Sequence, residues 1–237
     1  MKSISHFVTL PSPCSYLREQ RWQLEYEVVA AMSPAEYLER MRNGWRRFGF
    51  TMFRPRCPNC TACRTLRVLV DQFKPNRSQR RVRKLNEEEV RLVIGSPAVS
   101  REKLDLYDKY HAFQTEFKDW PLHAPKDVDD FVHSYVDNPF PVLEFCYYLG
   151  RRLVGVGYVD ELPGALSAIY CFYDPDERHR SLGTWNVLSV IDIASQRGIP
   201  HVYLGYYVEG CRSLEYKANF VPNQIRLPNG QWTDFRA

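Results

Sequence analysis

The chain has 237 residues, of which 44% are hydrophobic and 25% are charged, and this ordinary globular composition excludes a disordered, collagenous or coiled-coil protein. A chain of this length buries enough surface for one large domain or two small ones without disulfides. Its net charge of +4, from 32 Lys and Arg against 28 Asp and Glu, permits an anionic partner without requiring one.

No run of about 18 to 20 apolar residues spans a membrane, and the N-terminus lacks the charged and hydrophobic regions of a signal peptide. We therefore expect a cytoplasmic protein with no membrane partner. The chain has seven cysteines, three of them closely spaced. In a reducing compartment this pattern favours a metal or redox site over disulfides.

The first predicted helix begins after Ser33, which can cap it together with Glu36, and runs to about Asn43. Alternating apolar and polar residues predict strands over residues 49–54 and 65–73, with the cysteine cluster on the loop between them. Gly-Ser-Pro at residues 95–97 then breaks the pattern. We place a boundary there, between an N-terminal domain (residues 1–95) and a C-terminal domain (residues 96–237).

Apolar residues at helical spacing predict helices over residues 100–117 and 128–135. Three strand patterns joined by short turns follow and predict an antiparallel meander over residues 143–149, 153–159 and 166–172. A helix over residues 182–197, closed by Gly198, and a strand over residues 201–207 come next. This order of elements predicts a mixed fold of the α+β or α/β class.

The cysteine cluster places Cys57, Cys60 and Cys63 at intervals of three, which lets one loop wrap a soft metal ion or cluster. Cys14 is the other N-terminal cysteine that can serve as a fourth ligand. The alternative is a set of partly buried cysteines with no chemical role.

Two further segments suit anions. Six Lys and Arg residues lie between Lys74 and Lys84, where they suit phosphate oxygens, although such a run is more often a solvated surface. Arg180, Ser181 and Gly183 lie between a strand and a helix, near helix-start amides that attract anions. A capped loop is the alternative interpretation of this second segment.

Several longer motifs resemble the arginyl-tRNA–protein transferase family in order and spacing. In the C-terminal half they are residues 170–175 (YCFYDP), 180–183 (RSLG), 203–208 (YLGYYV) and 216–222 (YKANFVP). In the N-terminal half they are residues 14–17 (CSYL), 53–55 (FRP), the cysteine cluster and residues 73–81 (FKPNRSQRR). The resemblance covers about residues 14–225 and is to the short bacterial branch of the family.

The resemblance implies transfer of leucine from leucyl-tRNA to the N-terminal α-amine of a protein that begins with Asp or Glu, which creates an N-degron. It implies a GNAT-like acyltransferase fold for the C-terminal domain, beside a smaller N-terminal α+β domain that carries the cysteines. It further implies an iron–sulfur cluster as cofactor, whereas the cysteine spacing also suits zinc, and we expect no nucleotide cofactor. The metal ligands would be Cys14, Cys57, Cys60 and Cys63.

An aminoacyl ester is already activated, so the reaction mainly needs alignment of the ester with the amine and stabilisation of an oxyanion. From their places in the matched motifs, we expect Asp174 or Glu209 to take the amine proton. We expect Lys217, Tyr170 or Tyr173 to stabilise the oxyanion. The candidates for binding tRNA or the acidic substrate are Arg77, Arg80, Arg81, Arg180, Ser181, Gly183, Tyr206 and Glu209.

Three alternatives stay open. Arginine transfer by the same mechanism would require a carboxylate in the donor pocket, whereas leucine requires an apolar pocket. A coenzyme A-dependent GNAT acyltransferase is disfavoured because residues 180–185 (RSLGTW) lack its glycine-rich signature. A non-catalytic zinc-ribbon RNA-binding protein would leave residues 100–237 unexplained.

Overall fold

The computed structural model describes residues 1–118 and 120–236, which form fourteen strands and six helices. The strands of the first part of the chain are β1 (Lys2–Val8), β2 (Ser12–Pro13), β3 (Arg21–Trp22), β4 (Leu24–Ala31), β5 (Arg46–Phe48), β6 (Thr51–Pro55) and β7 (Arg64–Leu69). They are followed by β8 (Val90–Gly95), β9 (Val142–Leu149), β10 (Arg152–Leu162), β11 (Ala165–Tyr173), β12 (His201–Tyr207), β13 (Asn223–Arg226) and β14 (Trp232–Arg236). The helices are α1 (Pro34–Arg42), α2 (Arg77–Asn86), α3 (Arg101–Lys118), α4 (Val128–Phe131), α5 (Leu182–Gln196) and α6 (Arg212–Glu215).

The strands form two main sheets. An antiparallel four-stranded sheet has the order β1-β4-β6-β5, and an eight-stranded sheet has the order β14-β13-β7-β12-β11-β10-β9-β8. The larger sheet includes β7 and β8, so strands from both sides of the boundary expected near residue 95 pair in one sheet. This mixed architecture agrees with the predicted fold class. No described helix has the length and hydropathy of a membrane span.

Most local predictions are confirmed. Helix α1 begins with the predicted capping box, in which Ser33 and Glu36 each accept a hydrogen bond from the backbone of the other. Strands β9, β10 and β11 form the predicted antiparallel meander, and β12 has the predicted bounds. Strand β8 departs from the prediction: Gly95 and the residues after it indicate a break, and the strand forms because it pairs with β9, which lies far along the chain.

Helices cover both faces of the larger sheet. Residues of α2 and α5 pack with one set of sheet residues in a core that contains Val82, Leu188 and Leu166. Residues of α3 and α4 pack in a second core that contains Tyr107 and Phe131. The sheet is therefore held between two helical layers, and its strand ends remain available for a site.

The four-stranded sheet is joined to the larger sheet by a buried ion pair. Arg47 of β5 and Asp160 of β10 both have fully buried side chains and form this pair. The Arg47 guanidinium also donates to Gly49 O and to Asn138 Oδ1, each at 2.8 Å, and lies 4.4 Å from the ring centroid of Phe140. These contacts fix β5 against β10.

We expect Asp160→Ala to lower the free energy of unfolding by about 3–5 kcal/mol, because it leaves the Arg47 charge buried without its partner. Chemical denaturation of the purified variant measures this loss. Glu161→Ala is the matched control, since Glu161 is 47% exposed and pairs with Arg197 at 3.1 Å on the surface. It should cost less than about 1 kcal/mol. Equal losses for the two variants would contradict the role given to the buried pair.

Candidate functional site

The parallel strands β11 and β12 separate soon after they meet. Their pairing covers three residue pairs, from Ala165 with His201 to Ser167 with Tyr203, while both strands continue further. Residues 168–173 of β11 and residues 204–207 of β12 therefore border a gap, here called the cleft. Backbone N–H and C=O groups on these two edges do not pair with each other, so those that no side chain already contacts can meet a ligand.

Arg46 of β5 closes the narrow end of the cleft. Its Nη2 donates to Ala168 O at 2.7 Å, and its Nη1 donates to Ser167 Oγ at 3.2 Å. On the β12 side, Gly205 has a φ of +80°, and a Cβ at this position would lie 3.4 Å from Nη2. The guanidinium thus lies between the two strands where their pairing ends.

Lys217 lies beside β12, past the point where the strands separate. It belongs to a 3₁₀ turn over Tyr216–Asn219, and its Nζ donates to Tyr206 O at 3.0 Å. Tyr206 is buried, and its hydroxyl donates to Gly44 O at 2.8 Å. Within residues 1–118 and 120–236, neither Lys217 nor Arg46 is ion-paired with a carboxylate, since the neighbouring Asp160 pairs with Arg47. The site therefore brings the guanidinium of Arg46 and the amine of Lys217 together without a carboxylate in ion-pair contact with either.

The surroundings of Lys217 change its protonation. Although part of the side chain is accessible to solvent, burial of its ammonium and, second, the charge of Arg46 lower the pKa of Lys217 to about 7. An ordinary lysine has a pKa of about 10.4. With its pKa lowered in this way, Lys217 can be a neutral amine near neutral pH, and a neutral amine can accept a proton.

Tyr170 of β11 forms a hydrogen-bonded pair with His111 of α3. The Tyr170 hydroxyl lies 2.8 Å from His111 Nε2, and His111 Nδ1 lies 2.8 Å from Tyr107 O. Because a backbone oxygen only accepts, Nδ1 carries the proton and Nε2 accepts from the tyrosine. Burial lowers the pKa of His111 and raises the pKa of Tyr170 well above its usual value. The pair is neutral.

Tyr173 and Gly183 pack against each other. A Cβ at position 183 would lie 3.3 Å from Tyr173 Cε1, so glycine lets the first turn of α5 approach β11. Tyr173 also packs on Tyr110, with ring centroids 5.1 Å apart. Burial raises the pKa of Tyr173, so its hydroxyl stays protonated.

The two candidate carboxylates differ in their surroundings. Asp174 is buried, its Oδ1 lies 2.5 Å from Lys109 Nζ, and its Oδ2 is paired with Arg152. Both oxygens therefore hold the turn after β11. The side chain of Glu209 is 79% exposed and lies 3.9 Å from Arg64, which makes a weak surface pair.

Arg180 and Ser181 form the turn before α5. Arg180 pairs with Glu89 at 2.5 Å and with Glu177 at 3.0 Å. Its guanidinium is therefore bound to protein carboxylates. Ser181 has a φ of 52°, in the left-handed region, and its side chain does not cap α5. The structure thus places these two candidates in a tightly connected turn.

Helix α2 presents an exposed basic surface formed by Arg77, Arg80 and Arg81, here called the basic face. None of the three is ion-paired with a carboxylate in the described part of the chain. The same helix carries the buried Gln79, whose Nε2 donates to Asn219 O at 3.0 Å. Asn219 ends the turn that carries Lys217, so this turn is fixed to the basic helix.

The four candidate metal ligands line one cavity beside the end of β12, here called the thiol pocket. They are Cys14, Cys57, Cys60 and Cys63, and the cavity has a volume of about 50 Å³. Tyr206 and Val208, at the end of β12, form part of its wall. The thiol pocket therefore lies next to the residue whose carbonyl holds Lys217.

The thiols are near each other but are not arranged as a formed metal site. Among residues 1–118 and 120–236, no group of three or more His, Cys, Asp or Glu side chains is placed to hold a metal ion. Burial, and then the neighbouring thiols, raise the pKa of Cys63 to about 12. A bound metal ion would itself deprotonate its thiol ligands. The iron–sulfur or zinc site at these cysteines stays a prediction.

Arg46 and His111 belong to the site, although neither lies in one of the motifs that predict site residues. The two adjacent arginines in residues 45–48 (WRRF), flanked by aromatic residues, are a signal that buried cations lie there. His111 gives no comparable signal, because it sits singly on a predicted helix and its partner Tyr170 is distant in the chain.

Replacing Arg46 by Met should raise the pKa of Lys217 above about 7, because it removes a positive charge that disfavours the ammonium. An NMR titration of isotopically labelled lysine side chains measures the pKa, with the Lys217→Arg variant assigning the signal. Arg197→Met removes a surface cation that pairs with Glu161 and should leave the pKa of Lys217 unchanged. An unchanged pKa in the Arg46 variant would show that Arg46 does not influence Lys217.

Comparison with known proteins tests the family resemblance. The sequence model of the family "Arginine-tRNA-protein transferase, C terminus" matches residues 102–227, and the model of its N-terminal counterpart matches residues 12–81. An aspartate/glutamate leucyltransferase of Campylobacter jejuni (strain 81-176) is 39% identical over 220 residues, which cover 92% of this chain and 91% of the relative. The protein with the same description from Pseudomonas aeruginosa (strain LESB58) is 37% identical over 231 residues, covering 97% and 96%.

Similarity to solved structures is weaker. The C-terminal domain of a putative lysylphosphatidylglycerol synthetase from Agrobacterium fabrum superposes with a TM-score of 0.47 at 12% identity, covering 84% of this chain and 63% of that one. The family models and the relatives agree over nearly the whole chain and confirm the resemblance seen in the sequence. The chain therefore belongs to the arginine-tRNA–protein transferase family and is a transferase enzyme.

Proposed function

We propose that the protein transfers leucine from leucyl-tRNA to the N-terminal α-amine of proteins that begin with Asp or Glu, which creates an N-degron. The names of the relatives supply the donor and the acceptor. The observation that carries the chemistry is the position of Lys217, whose Nζ is fixed on Tyr206 O at 3.0 Å beside the cleft that Arg46 closes at its narrow end. Burial and the charge of Arg46 lower the pKa of this amine to about 7. An amine that exchanges protons near neutral pH suits an aminolysis reaction.

In the proposed reaction, the neutral α-amine of the acceptor attacks the carbonyl carbon of the aminoacyl ester. A C–N bond forms, and the C–O bond to the tRNA ribose breaks when the tetrahedral intermediate collapses. Neutral Lys217 accepts the proton lost by the nitrogen and returns it to the leaving ribose oxygen. The positive charge of Arg46 at the narrow end of the cleft favours the oxyanion formed between these steps.

This assignment gives the proton transfer to Lys217 and not to Asp174 or Glu209. Both oxygens of Asp174 are held by Lys109 and Arg152, and Glu209 is largely in water. Tyr170 can donate to the oxyanion from the β11 side only if its single hydroxyl proton, which donates to His111 Nε2 at 2.8 Å in this structure, turns away from His111. Lys217 therefore transfers the proton, because it can be neutral, and Arg46 stabilises the oxyanion, because it stays charged.

The charges of the site suit two acidic partners. The basic face offers guanidinium groups to the phosphates of the tRNA acceptor stem. Arg46 and Lys217 lack carboxylate partners among the described residues, which favours an acceptor whose first side chain is acidic. The meander β9–β11 followed by α5 and the separating strand β12 supports a GNAT-like acyltransferase unit. Arg180 is bound to Glu89 and Glu177, which disfavours a pyrophosphate site for coenzyme A there.

We expect the purified protein to transfer radiolabelled leucine, and not arginine, from charged tRNA to peptides that begin with Asp or Glu but not Ala. Lys217→Met should lower kcat by about a hundredfold or more, because a positioned general base contributes about 10²–10⁴. Lys217→Arg should not restore activity, since a guanidinium does not release its proton. Affinity for leucyl-tRNA serves as the control and should change little in both variants.

The outcomes separate the alternatives. Transfer of arginine in place of leucine would keep the mechanism and change the donor. Full activity of Lys217→Arg would show that the side chain at this position stabilises the oxyanion by its charge and does not transfer the proton. Absence of transfer from either tRNA by folded wild-type protein would contradict the proposed function.

Replacing Arg80 and Arg81 together by Ala should weaken tRNA binding and reduce the slope of log affinity against log salt by about one per lost phosphate contact. Titrations at several salt concentrations measure both quantities. The double variant Arg101→Ala/Arg151→Ala removes the same net charge from α3 and from the β9–β10 turn and serves as the control. Equal effects of the two double variants would show that net charge, and not the basic face, governs binding.

A further inference from the structure

Four aromatic side chains form a continuous row on one face of the four-stranded sheet. They are Phe7 of β1, Tyr26 of β4, Phe53 of β6 and Phe48 of β5, here called the aromatic row. Phe7 pairs with Tyr26, and Tyr26 with Phe53, across neighbouring strands, so these side chains point to the same side of the sheet. Successive ring centroids lie 5.3, 6.1 and 5.8 Å apart, which is the range of interacting aromatic rings. The rings therefore make one unbroken apolar strip.

The aromatic row lies on the face of this sheet that helix α1 does not cover. Glu27, next to Tyr26 in β4, forms an ion pair of 3.2 Å with an arginine of α1, and Met52 of β6 lies in the core with α1. Successive residues of a strand point to opposite faces, so the row faces away from α1. Its rings are partly exposed, and Phe7 is 49% exposed. The row is therefore an apolar surface that another molecule can cover.

One end of the row borders the cleft. The ring centroid of Phe48 lies 6.2 Å from that of Tyr170, which belongs to the β11 border of the cleft. Arg46, two positions before Phe48 in β5, points to the same side of the strand and donates to Ala168 O at 2.7 Å. The first ring of the row is thus next to the cation that closes the narrow end of the cleft.

The row also lies close to the amine assigned to the reaction. The Tyr206 hydroxyl lies 3.5 Å from Phe53 O, and Tyr206 O accepts a hydrogen bond from Lys217 Nζ at 3.0 Å. One tyrosine residue thus separates Lys217 from the row. An extended chain advances about 3.3–3.6 Å per residue, so a chain with its N-terminal nitrogen at Lys217 reaches the row within its first few residues.

A tRNA on the basic face would approach from the other side of the larger sheet. Val202 of β12 packs in the core that contains residues of α2. Tyr203, the next residue, packs in the core that contains residues of α1. Helix α2 and the four-stranded sheet therefore lie on opposite faces of β12. An acceptor stem bound to the basic face leaves the aromatic row to the second substrate.

We infer that the aromatic row binds the residues that follow the N-terminal Asp or Glu of the acceptor chain, and that it favours acceptors with apolar side chains there. This inference rests on the proposed function. The charge of Arg46 suits the acidic first residue, whereas a charged side chain on the rings would lose hydration without gaining a partner. The three steps of 5.3–6.1 Å between the rings match about four or five residues of an extended chain.

The test uses peptides that begin with Asp and carry either Leu or Ser at residues two and three or at residues four and five, with saturating leucyl-tRNA. For each pair, wild-type protein should show a kcat/KM roughly tenfold or more higher for the Leu peptide. The difference should lie in KM, because the row binds the substrate away from the reacting atoms. Phe7→Ser, at the exposed end of the row, should abolish the preference at residues four and five and keep it at residues two and three. Phe7→Trp should keep both preferences.

Val93→Ser is the matched control, since Val93 is also an exposed apolar residue of an edge strand, β8, at the far end of the larger sheet from β12. It should keep the wild-type ratios. Because each result is a ratio within one preparation, a partly unfolded sample does not change it. Equal kcat/KM for Leu and Ser peptides in wild-type protein, or ratios that Phe7→Ser leaves unchanged, would overturn the inference and leave the proposed function standing.

Two further measurements identify other occupants of the row. Weaker binding of leucyl-tRNA by Phe7→Ser, with the peptide KM unchanged, would assign the row to unpaired bases of the tRNA and overturn the inference. Dissociation of a wild-type dimer by the same substitution, seen by analytical ultracentrifugation with an unchanged KM, would assign it to a second copy of this chain. Absence of any wild-type transfer would remove the proposed function and this inference together.

Discussion

The separation of β11 and β12 is the constraint on which the rest of the site depends. Among the described strands of the larger sheet, these two are the parallel neighbours in an otherwise antiparallel order. Parallel neighbours require a long connection, here α5, and their short pairing leaves a gap in the middle of the sheet. Arg46 fills the narrow end of that gap from a different sheet, so the site exists because the two sheets meet there.

The adjacent residues Arg46 and Arg47 of β5 have different roles. Successive side chains of a strand point to opposite sides, and Arg47 reaches Asp160 while Arg46 reaches the carbonyl of Ala168. The ion pair with Asp160 neutralises the charge of Arg47 and joins the two sheets. The charge of Arg46 instead lowers the pKa of Lys217. A buried cation without a counter-ion costs stability, and such costs are found where a protein binds or transforms a ligand.

Local patterns predict local structure well in this chain. The capping residues of α1, the turns of the meander and the alternation in β12 act over a few positions, and each element was predicted from them. Strand β8 and the role of Arg46 depend on distant partners: Arg46 and Ser167 are 121 positions apart. The family resemblance singled out Lys217, but its altered protonation follows from desolvation and from Arg46, which no spacing of residues in the sequence reveals.

The hydrogen bond from Gln79 to Asn219 sets the distance between the basic face and Lys217 in the proposed complex with tRNA. It joins the helix that presents the basic face to the turn that carries Lys217, so a shift of one relative to the other would break this buried hydrogen bond. Phosphates bound to the basic face would then lie at a set distance from Lys217. The enzyme would then select a charged tRNA by the distance between its bound phosphates and its 3′ end, whatever the sequence of the stem.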